Sequence, residues 1–311
     1  MAAGDIVQWT GAVSSDPAVA GNWSTAAVPA DGEVIVIPQA GQAAMTGGDL
    51  TVGATLQFRG FRLKDGFAFG MGSLATYLQV ELTDTAVYYD AEIDGGGGQV
   101  FLDVDNYHEI RVQDAVAGAS GQFGVNLIGL HDADDTGGRG TIYVNLVNAA
   151  GTVGIGANPN EDMEVNAIEV ARGIVTIGPK VTENDDAAAP DLTVTGGTVY
   201  CHCPIGTLTV SGGTVYLMGA ATVTALNCWG GTVYYESDGT CTTAKIGGTV
   251  DCTRDGRART FTTTHLYRGG SLKDPDKTIT FTNAPNLQGC SLADVSLELG
   301  KNLTIARGAI P

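Results

Sequence analysis

Basic residues are scarce in this chain. It has 16 Lys and Arg against 34 Asp and Glu, which gives a formal net charge of −18. A nucleic-acid backbone is bound by clustered Lys and Arg, so this balance argues against a nucleic-acid partner. An acidic surface instead favours solubility and weak non-specific contacts.

Long apolar runs and a secretion signal are missing as well. No stretch of about 18 apolar residues occurs, so we expect no membrane span and no membrane partner. The first residues, Met-Ala-Ala-Gly-Asp-Ile, have neither the basic region nor the hydrophobic segment of a signal peptide. We therefore expect synthesis in a cytoplasm, and export only by another route, such as a virion released by lysis.

Sequence motifs for common enzyme chemistry are absent. There is no nucleophile elbow, phosphate loop or dinucleotide fingerprint. Polysaccharide cleavage needs paired carboxylates, or a carboxylate with Lys or Arg, in one groove. One charged run invites that hypothesis: Asp251, Arg254, Asp255, Arg257 and Arg259, with His265 nearby. Such runs are usually solvated faces or interface ion pairs, so we predict no catalytic residues, no cofactor and no enzyme activity.

The chain is, in contrast, rich in glycine, and it contains a repeat. Gly-Gly-Thr-Val occurs at 196–199, 212–215, 230–233 and 247–250, with spacings of 16, 18 and 17 residues. Gly-Gly suits a sharp corner between two short strands, because glycine has no side chain to clash with the coil above. With abundant Thr and Val and no long amphipathic helix, the repeat predicts an all-β fold, a parallel β-helix (β-solenoid).

The repeat also assigns side chains to faces, because alternate residues of a strand point the same way. The predicted inward column is Val199, Val215, Val233 and Val250. The predicted outward columns are Thr198, Thr214, Thr232 and Thr249, and Tyr200, Tyr216, Tyr234 and Asp251. The outward Thr and Tyr form a semi-apolar stripe, for which we consider a subunit or partner interface, simple stacking between coils, and carbohydrate binding.

The pattern extends towards the N-terminus. Residues 165–175 align without a gap on 223–233, so we predict strand rather than helix for 161–172. We expect a regular solenoid over 161–311, irregular coils or a small β-domain over 76–160, and a smaller N-terminal β capping or docking region over 1–75.

The six cysteines fit a core role better than a metal site. Cys201 and Cys203 share one predicted strand face with His202 on the other, so the three do not converge on one zinc ion. We expect free, buried thiols and no metal. The cysteines are Cys201, Cys203, Cys228, Cys241, Cys252 and Cys290.

An acidic segment around Asp132, Asp134 and Asp135 suggests calcium. It is not an EF-hand loop, because the twelfth position is Tyr143 instead of the bidentate Glu. A calcium site of another kind and a solvated turn both remain open.

The N-terminal segment has a different pattern. Gln8-Trp9-Thr10-Gly11, Gly21-Asn22-Trp23-Ser24 and Val28-Pro29-Ala30-Asp31-Gly32 precede an alternating strand that ends in proline. Trp9 and Trp23 are large enough to cover the open end of a solenoid, and a docking surface for another protein is the alternative.

This segment and the Gly-Gly-Thr-Val coils together resemble β-helical virion proteins of phages, and also autotransporter-like surface proteins. An autotransporter would need a signal sequence and a membrane barrel, so the phage resemblance is preferred. It implies a head-decoration or cementing protein, homotrimeric, whose partner is the major capsid protein and whose location is the virion. The alternatives are a tailspike or fibre that binds or cleaves host polysaccharide, and a bacterial surface adhesin.

Overall fold

The chain folds into a parallel β-solenoid of about 10 turns. The computed structural model describes residues 6–41, 43–46, 50, 56–64, 66–82, 90–105, 107–118, 122–129, 140–183, 189–300 and 305–307. The fold is all-β, with 2% helix. The predicted fold class is therefore confirmed, while a separate N-terminal cap stays a prediction.

Two long parallel sheets form the walls of the solenoid, and most coils give one strand to each. Over the described residues, sheet 1 contains β1 (Ile6–Gln8), β2 (Val34–Ile37), β3 (Gly60–Leu63), β5 (Asp90–Gly95), β7 (Glu109–Ala115), β9 (Thr141–Asn145), β12 (Ala167–Arg172), β15 (Asp191–Val194), β17 (Ile205–Val210), β19 (Val223–Cys228), β21 (Thr240–Ile246), β23 (Arg259–Leu266), β25 (Ile279–Phe281), β26 (Asn286–Leu287) and β28 (Ala306–Arg307).

Sheet 2 faces sheet 1 across the core. It contains β4 (Leu78–Glu81), β6 (Val100–Asp105), β8 (Val125–Ile128), β10 (Thr152–Ile155), β13 (Ile174–Ile177), β16 (Thr198–Cys201), β18 (Thr214–Leu217), β20 (Thr232–Tyr235), β22 (Thr249–Asp251), β24 (Ser271–Asp274) and β27 (Ser296–Leu299). A small third sheet pairs β11 (Met163–Glu164) with β14 (Val181–Thr182). Among the residues that the structure describes, two short 3-10 helices cover Ala20–Asn22 and Leu292–Asp294.

The core consists of inward columns of apolar side chains. In sheet 2, the predicted valine column of Val199, Val215, Val233 and Val250 is in register and fully buried. Sheet 1 has an equivalent buried column, formed by Leu192, Leu208 and Leu226 in register. Each coil thus covers the apolar side chains of the next. Because every coil packs only on its two neighbours, the stack forms one continuous core along the solenoid.

The Gly-Gly corners have the two properties that the sequence suggests. Gly197, Gly213 and Gly231 have positive φ angles of 74°, 73° and 64°. A Cβ on Gly213 would lie 2.6 Å from the carbonyl oxygen of Gly197 in the coil below. The fourth copy differs, since Gly248 is not among the described glycines with positive φ. The first three corners therefore need glycine for both backbone angle and space.

The segment 161–172 is extended, as predicted. It contains β11 and β12, and Ile168 pairs in register with Leu192 of the following coil. β12 carries a bulge, where the register with β9 shifts between Val170 and Arg172. The solenoid thus reaches upstream of the repeats that revealed it.

Strands from the early part of the chain join the same two sheets. β1 to β3 lie in sheet 1, and β4 to β10 alternate between sheets 1 and 2. The division at 75 and at 160 stays a prediction.

Candidate functional site

The outer face of sheet 2 carries the two predicted polar columns. β16, β18 and β20 pair without a register shift, because successive repeats present the same residue types at the same points. The resulting half-buried columns are Thr198, Thr214, Thr232 and Thr249, and Tyr200, Tyr216 and Tyr234. We call this surface the tyrosine face.

The three tyrosine rings stack along the solenoid axis. Ring centroids are 4.8 Å apart for Tyr200 and Tyr216, with 10° between the planes, and 4.9 Å apart for Tyr216 and Tyr234, with 17°. These distances match the spacing between hydrogen-bonded strands, so the backbone register itself fixes each ring over its neighbour. Because the rings are already ordered, a partner that covers them pays little additional side-chain entropy.

Arg254 completes this surface. Its guanidinium carbon lies 5.0 Å from the ring centroid of Tyr216 and 4.7 Å from that of Tyr234. Its Nε lies 3.1 Å from Oε1 of Glu236. The pKa of Arg254 is raised, first by its hydrogen bond with the Tyr216 side chain. The tyrosine face therefore has a cation held across its rings, which the sequence alone did not assign to it.

The charged run 251–259 does not form one cluster. Arg259 is buried, pairs with Asp255 and donates from Nε to the carbonyl oxygen of Arg257 at 3.1 Å. Arg254 instead lies on the tyrosines, and His265 belongs to β23 on sheet 1. Asp255 pairs with Arg257 and Arg259, whereas Arg254 pairs with Glu236 and His265 contacts Asn286, so the residues of the polysaccharide-cleavage hypothesis do not all pair with one another.

The cysteines behave as core residues. Cys201, Cys203, Cys228, Cys241 and Cys252 are buried, and all six thiols are free. Burial raises the pKa of Cys228 to about 11 and that of Cys241 to about 12. In the described part of the chain, no three His, Cys, Asp or Glu side chains are grouped to hold a metal ion. The Cys201 and Cys203 sulfurs lie 3.8 Å apart in the core, while His202 is partly exposed.

The two N-terminal tryptophans pack against each other. Trp9 and Trp23 make an edge-to-face contact with centroids 5.2 Å apart, and both rings are buried. The indole nitrogens donate to the carbonyl oxygens of Ala43 at 3.1 Å and Pro17 at 2.8 Å. Asn22, between them in sequence, accepts from the backbone N–H of Val13 and orders this loop. The capping and docking roles of the pair stay predictions.

An open groove of about 480 Å³ lies on the outer face of sheet 1, beside the β12 bulge. Its polar lining includes Arg111, Gln113, Tyr143, Asn145, Glu169 and Thr193. Arg111 already pairs with Glu109, and Gln113 donates to Glu92 at 2.9 Å, whereas Glu169 makes no ion pair with any residue that the structure describes. This groove could not be predicted from the repeats, because it depends on a bulge and on strands from separate coils.

The candidate calcium residues Asp132, Asp134 and Asp135 lie outside the described residues. Within the part of the chain that is described, no helix is long and apolar enough to cross a membrane.

Comparison with known proteins returned no matching family model, no matching curated protein and no matching solved structure.

Proposed function

We propose that this chain is a structural virion protein, a homotrimeric decoration or cementing protein that binds the major capsid protein and stabilises a phage head. The observation that carries the proposal is the tyrosine face. It is a regular, ordered and semi-apolar surface on a rigid solenoid, of a kind that suits contact between subunits.

Rigidity supports this role. The aligned columns of sheet 2 are fixed by backbone hydrogen bonds and by the buried valines beneath them, so the face keeps its shape when a neighbour binds. Tyr and Arg are the residue types enriched at the centres of protein interfaces, and Tyr216, Tyr234 and Arg254 lie together here.

The virion context comes from the sequence. The resemblance of the N-terminal Trp-containing segment and the Gly-Gly-Thr-Val coils to β-helical virion proteins supplies the capsid partner. The net charge of −18 favours a soluble surface over attachment to nucleic acid. In this proposal the protein is made in the host cytoplasm and acts without a cofactor or an enzymatic step.

A co-sedimentation experiment tests the capsid role. The major capsid protein encoded in the same genome is assembled into heads without this protein, and the purified chain is then added. We expect saturable binding of the wild type. Because the tyrosine face would hold the trimer together, and a monomer loses the avidity of three linked head contacts, the triple variant Tyr200→Ser, Tyr216→Ser, Tyr234→Ser should bind at least about tenfold more weakly.

The matched control is Tyr143→Ser, a half-buried tyrosine on the outer face of sheet 1. It should bind heads like the wild type, and both variants should keep the β-rich circular dichroism spectrum. The proposal fails if the genome has no capsid gene beside this one, or if wild-type protein stays in the supernatant.

A second candidate, a tailspike or fibre that binds host polysaccharide, is favoured by a different surface. This surface lies at a corner of the solenoid beside sheet 1 and contains an exposed tryptophan, Trp229.

A further inference from the structure

An aromatic pair projects from a corner of the solenoid, next to sheet 1. Trp229 follows β19 and Tyr267 follows β23. Their ring centroids are 5.0 Å apart in an edge-to-face arrangement, with 73° between the planes. Trp229 is 46% exposed, unlike the buried Trp9 and Trp23. An exposed indole held by a second ring is a preformed platform for another ring to stack on.

The two rings can meet because the equivalent residue of the coil between them is a glycine. Trp229, Gly247 and Tyr267 occupy equivalent positions in three successive coils, since each donates its backbone N–H to the coil below, to Val210, Cys228 and Ile246. A Cβ on Gly247 would lie 3.4 Å from Cε3 of Trp229 and 3.7 Å from Cβ of Tyr267. The two rings therefore meet across the coil that contributes only glycine.

Polar side chains line the sheet directly beside the platform. Asn227, Lys245 and His265 pair in register on β19, β21 and β23. Each lies two residues before Trp229, Gly247 or Tyr267, so the polar column and the platform share the outer side of the solenoid. Neighbouring rungs are separated by about 4.8 Å, which brings all three polar groups within reach of one small ring.

The His265 side chain is held in one orientation. Its Nδ1 lies 2.8 Å from Oδ1 of Asn286, and Nε2 of Gln288 donates to the same oxygen at 2.5 Å. The same Gln288 Nε2 lies 3.1 Å from His265 Nδ1. These contacts engage Nδ1, so Nε2 is the ring nitrogen left for a hydroxyl group of a ligand.

Lys245 brings a positive charge that the chain does not neutralise. Arg254 and Arg268, on other parts of the same coils, pair with Glu236 and Asp294. Lys245 makes no ion pair with any residue that the structure describes. In a chain of net charge −18, an unpaired lysine beside an exposed indole suits a ligand with one negative group.

We propose that Trp229, Tyr267, Lys245, His265 and Asn227 bind an acidic sugar residue of a polysaccharide. The indole takes the apolar C–H face of the sugar ring, Lys245 takes the carboxylate, and His265 Nε2 and the Asn227 amide bond the hydroxyls. A nucleic acid is disfavoured, because its chain of phosphates would be repelled by the acidic protein. The groove beside β12 is a weaker site for this ligand, because its cation, Arg111, is already paired with Glu109 and its lining includes the carboxylate of Glu169.

The test is a glycan array that carries uronic-acid and sialic-acid oligosaccharides next to their carboxyl-reduced counterparts, followed by fluorescence titration with the strongest acidic glycan. We expect binding to an acidic glycan and at least about tenfold weaker binding to its reduced form. The tryptophan emission should change on binding, because Trp229 is the exposed one of three tryptophans.

Trp229→Ala and Lys245→Gln should each weaken binding about tenfold or more, and Trp229→Ala should abolish the fluorescence change. Lys180→Gln, at another partly exposed lysine, is the matched control and should bind like the wild type. Both site residues are surface residues, so melting temperatures should stay close to that of the wild type.

The inference is overturned if no acidic glycan binds, if reduced glycans bind equally well, or if both site variants bind like the wild type. Binding of single-stranded DNA in preference to every glycan would overturn it too. The site is on sheet 1, so its failure leaves the capsid test on the tyrosine face unaffected, and failure of that test leaves this site unaffected.

Discussion

At the scale of single residues, cysteine takes the place of an aliphatic side chain. Cys201 pairs in register with Ile177 and Leu217, and Cys228 pairs with Val210 and Ile246, all of them buried. The alternation within each repeat predicts this placement without knowledge of the structure. A thiol packs in such a column as a small apolar group.

Thiol reactivity measures this burial directly. The thiolate is the reactive form, and burial raises the pKa of Cys228 to about 11 and of Cys241 to about 12, so at pH 8 both are protonated as well as inaccessible. With Ellman's reagent at pH 8 we expect one fast equivalent, from the partly exposed Cys290, and five more only in guanidinium chloride. Cys290→Ser should remove the fast equivalent, and rapid reaction of two or more native thiols would contradict the assignment.

At the scale of the elements, the corner between β17 and β18 joins two strands in very little space. Gly213 has φ +73°, and a Cβ there would lie 2.6 Å from the carbonyl oxygen of Gly197. Gly219, which follows β18, has φ +66° but nothing within 4 Å of an added Cβ. Substitution of Gly219 therefore reports the cost of the backbone angle alone, whereas substitution of Gly213 reports that cost together with the clash against the neighbouring coil.

Alanine substitution should resolve those two effects. Gly219→Ala introduces only the left-handed backbone strain of about 1–2 kcal/mol. Gly213→Ala has the same strain and also forces neighbouring coils apart, so we expect it to lower the free energy of unfolding by at least about 1 kcal/mol more. Chemical denaturation of both variants measures the difference, and equal losses would show that coil stacking does not constrain this corner.

The sequence predicts side-chain positions well where the same residue types recur in successive coils. It predicts them poorly where a side chain from one coil extends over other coils. The Thr and Tyr columns follow from the two-residue period of a strand and from the spacing of Gly-Gly-Thr-Val. The position of Arg254 does not follow from the repeat. Arg254 comes after β22, but its side chain extends back over Tyr216 and Tyr234, which belong to two earlier coils. The Trp229–Tyr267 pair could have been found by aligning the corner positions, where Gly247 leaves a gap between them.

At the scale of the whole molecule, the solenoid is a rigid rod with different chemistry on its two walls. Sheet 2 presents stacked tyrosines with Arg254, and sheet 1 presents the groove beside β12 and the polar column near Trp229. The repeats predict such a rod, but not the bulge in β12, since it depends on the pairing between strands of separate coils. Separate faces allow one wall to contact other subunits while the other stays accessible.

The mass of the native assembly, measured by light scattering during gel filtration at micromolar concentration, tests the central claim most directly. The proposed homotrimer, joined through the tyrosine face, predicts a wild-type mass of three times the 31.9 kDa chain. It predicts a monomer for the variant with serine at Tyr200, Tyr216 and Tyr234, and a trimer for the Tyr143→Ser control. A wild-type protein that elutes with the mass of one chain, or a triple variant that still has the mass of three, would contradict it.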